Sequence, residues 1–546
     1  MAVLYFWESK KAKHRRPIMP GTARERDIEQ ALLFYNSKQY PNPLPHPRTF
    51  LSKPLNLRPK TFHLHMKQFF LFLILFSTPF FTSTITAQEP GHRIEVSIDA
   101  YESDSIFLGY RRADKIYSKD TTFIADGKYV FEGADTLPPG IYLVLMPPDN
   151  KFFEFIVTKN EQHFSISAKA PNFFESLKFK GSKENQLMYD YQVFMNEQVE
   201  LSKKVNEKLE QETDEKKKAK IEKQLATIGD GVKAYQKRVK TKHPGTFTAK
   251  LIAAFEEPDI PEAPLKADGT KDDDFAFKYY RAHYWDGFDL TDEVFVNSPY
   301  LKQKIDRYLD KLTMQTPDSV IVAVDYILER AQKNKQVFRY CLPYLLNKYF
   351  KPQIMGMDKV YVHLSDKYYQ TGLADWVSEK VLKTITDNAF MMRGVLIGNY
   401  APNVKVQLYS PEEEKFTTEL TSPYDVHSEF TIVFLWKPGC PHCKKMEDKL
   451  KPFYEEWKDK GVEIFSISSA NHMDLDKAIK DIKDKEMPWI ITADPYQRAR
   501  AMQRYYGTTL PKLYLLDKNK KIIANRIGVE QLPELIEEFR KKEANK

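Results

Sequence analysis

Two cysteines in the C-terminal part of the chain are the residues best placed for chemistry: Cys440 and Cys443, which enclose a proline and a histidine. The apolar run at 430–436 before them predicts a buried strand, and apolar residues every three or four positions over 446–457 predict a helix. The pair therefore lies where a strand ends and a helix begins. Unpaired N–H groups and the positive end of the helix dipole stabilise a thiolate there, which predicts Cys440 as a nucleophile. Cys443, one turn later, can close an intramolecular disulfide and so resolve a mixed disulfide with a substrate.

The residues around the two cysteines are predicted to adjust their reactivity. The imidazole of His442 can stabilise the thiolate by charge or by hydrogen bonding, which favours the reduced form and makes the disulfide a stronger oxidant. Lys444 and Lys445 act in the same direction because they are positively charged. Pro441 fills the other position between the cysteines, and Trp436, just before the pair, is predicted to wall the site.

The chain beyond the cysteine pair alternates predicted strands with predicted helices up to the C-terminus. Strands are predicted at 462–468, 489–492, 508–517 and 521–526, and helices at 474–485, 496–506 and 531–541. This alternation predicts an α/β domain that carries the dithiol at the end of a buried strand.

Residues 399–541 resemble the thioredoxin fold, and more narrowly the envelope thiol-disulfide oxidoreductases of the TlpA and ResA type. Members of this group combine a Cys-x-x-Cys pair with a distant cis-proline, and the matching proline here is Pro511. The resemblance implies that Pro511 is cis and that Leu510 before it offers backbone hydrogen bonds to an extended substrate segment. Thr509 is the second candidate for substrate binding. The resemblance covers about a quarter of the chain and implies protein thiols and disulfides as substrates.

Two features differ from the most similar families. Thioredoxins often place a buried acidic residue six positions before the nucleophile, and Phe434 occupies that position here. A proton from Cys443 must then pass to another group or to water, with Glu429 and Glu447 as candidates. The Cys-Pro-His-Cys sequence resembles that of DsbA-type oxidases, whereas the surrounding domain resembles reductases, so the sequence leaves the direction of electron flow open.

The cysteine pair has three possible uses besides disulfide exchange. A structural zinc site usually takes four ligands, and the only other cysteine, Cys341, lies in an apolar helical segment. A thioredoxin-fold peroxidase would carry Thr-x-x-Cys, where this chain has Lys437. A thiol-based binder or metallochaperone would need further soft ligands, of which Met446 is the nearest. The sequence predicts no metal and no cofactor, and it keeps the peroxidase and the binder as alternatives.

The chain upstream of the dithiol predicts two further domains. Short β-rich runs with Asp-Gly and Pro-Gly turns predict a small antiparallel β-domain at 88–180. Helical patterns then predominate over 181–392, and the thioredoxin-like domain is assigned to 393–546. The predicted fold is therefore a multi-domain chain with an N-terminal β-domain, a central mainly α-helical domain and a C-terminal α/β thioredoxin fold.

The N-terminal segments predict export. Residues 1–65 are rich in proline and basic residues and are predicted to be disordered, and translation is expected to start at Met66. Residues 66–87 combine a short basic start, an apolar run at 69–81 and a small-residue cleavage site, which is typical of a signal peptide. The apolar run is shorter than the roughly 20 residues of a spanning helix, which favours cleavage over a signal anchor. The predicted location is the periplasm or cell envelope, with a membrane-bound electron donor or oxidant as a further partner.

The distribution of charge argues against a nucleic-acid partner. The net charge is +8, but residues 1–87 hold 13 basic and 4 acidic residues, and the rest of the chain holds 70 basic and 71 acidic residues. A phosphate-binding surface needs an excess of basic residues on the folded part of the chain. That part is close to neutral, so no nucleic acid is predicted.

Overall fold

The computed structural model describes residues 91–148 and 151–545, and it divides the chain into two compact units. The first unit ends at Phe288 and the second begins at Asp289. The predicted order of β-domain, helical region and α/β domain is confirmed, whereas the leader and the signal segment lie outside the described residues. Among the described residues, no helix is both long enough and apolar enough to cross a membrane.

The first unit opens with a β-domain whose two four-stranded sheets share one hydrophobic core. The sheets have the orders β4-β1-β7-β8 and β3-β2-β5-β6. Their strands are β1 (His92–Asp99), β2 (Ser105–Arg112), β3 (Lys115–Phe123), β4 (Tyr129–Gly133), β5 (Gly140–Met146), β6 (Lys151–Val157), β7 (His163–Lys169) and β8 (Lys178–Lys180). The pairing is antiparallel, as predicted, except between β1 and β7. These two strands run in the same direction because the chain between them crosses to the other sheet.

Helices follow directly after β8 in the first unit. They are α1 (Lys183–Gln211), α2 (Glu215–Lys242), α3 (Phe247–Phe255) and α4 (Phe275–His283). The hydroxyl of Ser182 accepts a hydrogen bond from the backbone N–H of Asn185 at 3.1 Å and so caps the start of α1. The side chain of Asn185 bonds both backbone groups of Ile156, which fixes α1 to the end of β6.

The second unit begins with another helical segment. Its helices are α5 (Tyr300–Lys311), α6 (Pro317–Ala331), α7 (Lys335–Phe350), α8 (Asp358–Leu364) and α9 (Glu379–Arg393). The side chains buried between these helices are mostly apolar, and Cys341 of α7 is fully buried among them. The lone cysteine is therefore part of the packing of this segment, as its apolar sequence context predicted.

The α/β domain of the second unit is built on a seven-stranded sheet of order β10-β9-β13-β12-β11-β14-β15. Its strands are β9 (Val406–Ser410), β10 (Lys415–Thr421), β11 (Phe430–Trp436), β12 (Val462–Ser468), β13 (Ile490–Ala493), β14 (Lys512–Leu516) and β15 (Ile522–Asn525). β11, β12 and β13 are parallel, and β14 runs antiparallel to β11. All seven residues of β11 are buried, as expected for a strand that is covered on both faces.

Helices complete the domain around this sheet. They are α10 (Pro441–Trp457), α11 (Leu475–Lys485), α12 (Ala501–Arg504) and α13 (Leu532–Ala544). Apolar residues of α10, α11 and α13 pack with alternate residues of β11, β12 and β14 into one core. From β11 to α13 this is the strand and helix order predicted from the sequence, whereas β9 and β10 were not predicted. The dithiol lies at the junction of β11 and α10.

Candidate active site

The turn between β11 and α10 places Cys440 at the N-terminus of a 17-residue helix. Gly439 has a φ of +70°, in the left-handed region that favours glycine, and this lets the chain reverse from the strand into the helix. Cys440 is the N-cap residue, and Pro441 occupies the first helical turn, where its missing N–H costs nothing. The cysteine sulfur therefore takes the place of the usual capping oxygen.

The two thiols differ in exposure and in their hydrogen bonds. Cys440 Sγ accepts a hydrogen bond from the backbone N–H of Cys443 at 3.4 Å. Cys443 Sγ accepts one from the backbone N–H of Lys437, also at 3.4 Å. Cys440 is partly exposed, whereas Cys443 is fully buried in the core of the domain. A substrate can thus reach the first sulfur directly, and the second only through the first.

These environments move the pKa values of the thiols in opposite directions. Burial works against ionisation of Cys440, but hydrogen bonds from the Cys443 thiol and from the backbone N–H groups of Cys443 and His442 outweigh it, so its pKa is lowered. Burial raises the pKa of Cys443 to about 12, and its hydrogen bond to Cys440 adds to the rise. The site therefore pairs one thiol that ionises more readily than a free cysteine with one that holds its proton.

The predicted tuning residues lie on the exposed start of α10. The side chains of Pro441, His442, Lys444 and Lys445 are all exposed. The ammonium groups of Lys444 and Lys445 therefore face the solvent, where water and salt screen their charges. The structure shows a contribution of His442 through its backbone N–H, which helps to lower the pKa of Cys440.

The structure corrects the prediction for Trp436 as a wall of an accessible site. Trp436 is the last residue of β11, and its side chain is 0% exposed. Its carbonyl accepts a hydrogen bond from the N–H of Ser469 at 2.8 Å, which ties the loop after β12 to the end of β11. Because β11 is an interior strand of the sheet and is covered on both faces, its last side chain packs in the core.

The loop before β14 brings Pro511 to the dithiol end of the sheet. The Leu510–Pro511 peptide is cis, as the resemblance implied. β14 pairs with β11 so that Lys512 lies opposite Leu435, which sets Pro511 beside the end of β11. Thr509 is exposed and Leu510 is partly buried against the core. The three residues thus line the same end of the sheet as Cys440.

Glu447 is the acidic residue that the structure brings to the thiols. It lies on α10, one turn after Cys443, and is only 1% exposed. Its Oε2 forms an ion pair with the ammonium of Lys485 from α11, while Oε1 is buried without a hydrogen-bond partner among the described residues. Burial raises the pKa of Glu447, and the Lys485 charge acts against that rise.

A cleft of about 470 Å³ connects this buried acid to the surface beside Cys440. Its lining includes Cys440, Glu447, Lys485 and Trp489. Asp481, also in the lining, accepts a hydrogen bond from the N–H of Gly439 at 2.6 Å and so holds the turn before the cysteine. Water and protons can therefore move between the solvent and the carboxylate through this cleft.

The other acid candidate lies elsewhere. Glu429 precedes β11, at the opposite end of the strand from the cysteines, and pairs with Arg540 of α13 at 2.7 Å. Phe434 is fully buried in the core, so the position where thioredoxins often carry an acid is apolar here. Of the two predicted candidates, the structure brings only Glu447 to the thiols.

Two exposed residues near the site, one apolar and one aromatic, were not predicted as site residues from the sequence. Met473 and Tyr496 follow β12 and β13, and their side chains are 75% and 58% exposed. β12 and β13 are parallel to β11, so the loops after them lie at the same edge of the sheet as Cys440. The ring of Tyr496 stacks on His472, which gives this edge a flat apolar surface.

Comparison with known protein families gives three matches along the chain. Residues 92–188 match a domain of unknown function (DUF4369), and residues 206–390 match another (DUF5106). Residues 397–525 match the AhpC/TSA family. The third match contains both cysteines and Pro511.

Curated relatives resemble the same C-terminal region. The thiol-disulfide oxidoreductase ResA of Bacillus thuringiensis is 31% identical over 147 residues, which span 27% of this chain and 78% of that protein. The chain belongs to the ResA-type thiol-disulfide oxidoreductase family. The sporulation thiol-disulfide oxidoreductase A of Bacillus subtilis is 29% identical over 112 residues, 20% of this chain and 67% of that protein. A solved domain of a possible thiol-disulfide isomerase from Cytophaga hutchinsonii is 29% identical, with a TM-score of 0.25, and covers 28% of this chain and 97% of that one.

Membership of the ResA-type family makes this protein a thiol-disulfide oxidoreductase with a thioredoxin-like domain. The relatives are named for disulfide exchange, which does not favour the peroxidase or the metal-binding alternative. Within the described residues, no group of three or more histidine, cysteine or acidic side chains is arranged to hold a metal ion.

We expect alkylation of the reduced protein near neutral pH to select Cys440. Its pKa is lowered from an ordinary value of 9.0, so it is more ionised than a free cysteine, while burial raises the pKa values of Cys443 and Cys341 to about 12. Iodoacetamide labelling followed by peptide mass spectrometry from pH 5 to pH 10 measures this. The unfolded protein is the control, since all three thiols should react there. Equal labelling of Cys440 and Cys443 in the folded protein would contradict the asymmetry of the site.

Proposed function

We propose that this protein exchanges disulfides with cysteine thiols of other proteins outside the cytoplasm, with Cys440 as the nucleophile and Cys443 as the resolving thiol. The Cys440 thiolate attacks a substrate disulfide, forms a mixed disulfide and releases one substrate thiolate. Cys443 then loses its proton and attacks the Cys440 sulfur, which closes the Cys440–Cys443 disulfide and releases the second substrate thiolate. Two electrons pass from the dithiol to the substrate, and the reverse sequence oxidises a substrate dithiol.

The observation that carries this proposal is the difference between the two sulfurs. A partly exposed thiol with a lowered pKa is suited to attack from the surface, and a buried thiol with a raised pKa is protected until the mixed disulfide has formed. The hydrogen bond from the Cys443 backbone to Cys440 Sγ keeps the two residues adjacent during this exchange. Pro511, with Leu510 and Thr509, lies at the same end of the sheet to receive the substrate backbone.

Glu447 completes the proposed mechanism as the proton acceptor for Cys443. It is the buried carboxylate on the same helix, one turn away, and its raised pKa brings its proton affinity closer to that of a thiol. The cleft beside it then lets the proton leave to the solvent. Lys485 holds the carboxylate in place and limits the rise of its pKa.

Export is the second part of the proposal. It is supported by the pattern of residues 66–87, in which a basic start, an apolar run and small residues follow one another as in a signal peptide. Outside the cytoplasm, a thiol-disulfide oxidoreductase needs a source or a sink of electrons, and a membrane-bound partner would supply it.

The equilibrium reduction potential of the Cys440–Cys443 couple in glutathione buffers tests the proposed function and assigns its direction. We expect a reversible two-electron couple that is lost in Cys440→Ser. A value near about −120 mV would indicate an oxidase, and one near about −270 mV a reductase that needs an electron donor. The absence of a reversible couple would overturn the proposed function.

A further inference from the structure

The loop that leads into Pro511 has an unusual backbone conformation at its start. Tyr506 has a φ of +47°, in the left-handed region that is unfavourable for a bulky residue. Such a conformation persists only where surrounding contacts enforce it. Residues 506–511 carry the Thr509 and Leu510 backbone proposed to receive a substrate, so the contacts that fix Tyr506 also fix the path of this loop.

Lys512 provides one of these contacts from the first position of β14. Its neighbour Leu513 faces the core that β14 shares with α10, so the Lys512 side chain lies on the opposite face of the sheet. Its Nζ donates a hydrogen bond to the carbonyl oxygen of Tyr506 and lies 4.0 Å from the centre of the Tyr506 ring. Lys512 thus holds both the backbone and the side chain of the residue that starts the loop.

The helical segment of the second unit reaches the same face through Asp358, the first residue of α8. Asp358 is 2% exposed, and its Oδ2 accepts a hydrogen bond from Nδ2 of Asn525, the last residue of β15, at 3.2 Å. Asn525 Nδ2 also lies 3.2 Å from the carbonyl oxygen of Val395. Oδ1 of Asp358 and Oδ1 of Asn525 are buried without hydrogen-bond partners among the described residues. Such unsatisfied groups are costly, which argues for a role beyond packing.

The charges around Lys512 are those of Asp358 and Arg526, with the Tyr506 hydroxyl as a further titratable group. Burial lowers the pKa of Lys512 to about 7, and Arg526 acts in the same direction, while Asp358 acts against it. Burial also raises the pKa of Asp358 itself, while the Arg526 charge and the hydrogen bond from Asn525 act against that rise.

We propose that Lys512 is a positioning residue that holds the substrate-binding loop 506–511 in its receptive conformation, and that Asp358 of the helical segment supports this arrangement from the same face of the sheet. The inference rests on the proposed function and assigns the helical segment a part in it. Without the contact between Lys512 and Tyr506, the loop loses conformational freedom only when an extended substrate binds. That entropy cost weakens substrate binding. The thiol chemistry itself is left intact, because Lys512 lies on the sheet face away from α10 and both cysteines.

The test compares two disulfide substrates, insulin as an extended polypeptide and hydroxyethyl disulfide as a small molecule that does not span the loop. Excess dithiothreitol supplies the two electrons that regenerate the Cys440–Cys443 dithiol in each cycle. Lys512→Met should raise KM for insulin about tenfold, as expected for the loss of one charge-assisted hydrogen bond, with little change in kcat. Turnover of hydroxyethyl disulfide and the reduction potential should match those of the unchanged protein. Lys512→Arg should have a KM for insulin close to that of the unchanged protein. Asp358→Asn should raise the KM for insulin by a smaller factor than Lys512→Met does.

Lys518→Met, an exposed lysine in the turn after β14, is the matched control and should leave KM unchanged. An unchanged KM for insulin in Lys512→Met would overturn the inference, and so would equal losses on both substrates. If Lys512→Met does not fold, Lys512→Arg and Asp358→Asn decide the question by the same split between substrates. Failure of the unchanged protein to turn over either substrate would instead count against the proposed function.

Discussion

Replacing Cys443 with serine should convert the protein into a trap that stays joined to its substrates through Cys440. The first attack is retained, because Cys440 keeps its place at the N-terminus of α10 and the backbone hydrogen bonds that lower its pKa. The attack of residue 443 on the mixed disulfide is lost, because serine provides no thiol next to the Cys440 sulfur. Intramolecular attack of this kind has a large effective concentration, so turnover should fall about a thousandfold or more. Non-reducing electrophoresis and peptide mass spectrometry after incubation with insulin would detect the Cys440 adduct.

The matched variants separate the roles of the three thiols. Cys440→Ser should form no adduct and show no turnover, because Cys443 is fully buried and its pKa is raised to about 12. Cys341→Ala should behave as the unchanged protein, since Cys341 is buried in the helical segment. Adducts formed through Cys443 in the Cys440→Ser variant would show that the assignment of nucleophile and resolving thiol is reversed.

The sequence predicted the features of the site that depend on local order. A buried apolar run and an apolar stripe at helical spacing are enough to place Cys440 at a helix start, because each is encoded within a few residues. The position of Pro511 relative to the cysteines was implied by the family resemblance, and the pairing of β14 with β11 sets it beside the end of β11. These features determine where the thiols lie and which of them is exposed.

The features that the sequence did not predict depend on contacts between distant segments. Trp436 is a large aromatic residue next to the cysteine pair, as in the wall of a site, but the strand that carries it is covered on both faces. That coverage depends on the order of strands in the whole sheet, which the local sequence does not show. Glu447 was one of two acid candidates in the sequence, but its ion pair with Lys485 joins two different helices. Asp358 and Asn525 are separated by more than half of the second unit. The spacing of Cys443 and Glu447, one helical turn, was the available signal that the acid shares the buried face of α10.

The second large effect is expected for Glu447→Gln, which keeps the size of the side chain but removes its ability to accept a proton. General acid–base catalysis contributes about a hundredfold or more, so closure of the Cys440–Cys443 disulfide should slow by about that factor at pH 7. The deficit should shrink as the pH rises toward the pKa of Cys443, about 12, because hydroxide then removes the thiol proton directly. Quenched-flow measurement of the decay of the mixed disulfide between pH 6 and pH 10 would follow this step.

Asp448→Asn provides the control for this experiment, because Asp448 lines the same cleft on the next position of α10 but is exposed. It removes a negative charge near Cys440 without removing the buried carboxylate, so its closure rate should stay within about twofold of the unchanged protein, as for a screened surface charge. A purely structural role for Glu447 would slow closure equally at every pH. The convergence of the Glu447→Gln and unchanged rates at high pH therefore distinguishes a proton acceptor from a residue that only holds Lys485 in place.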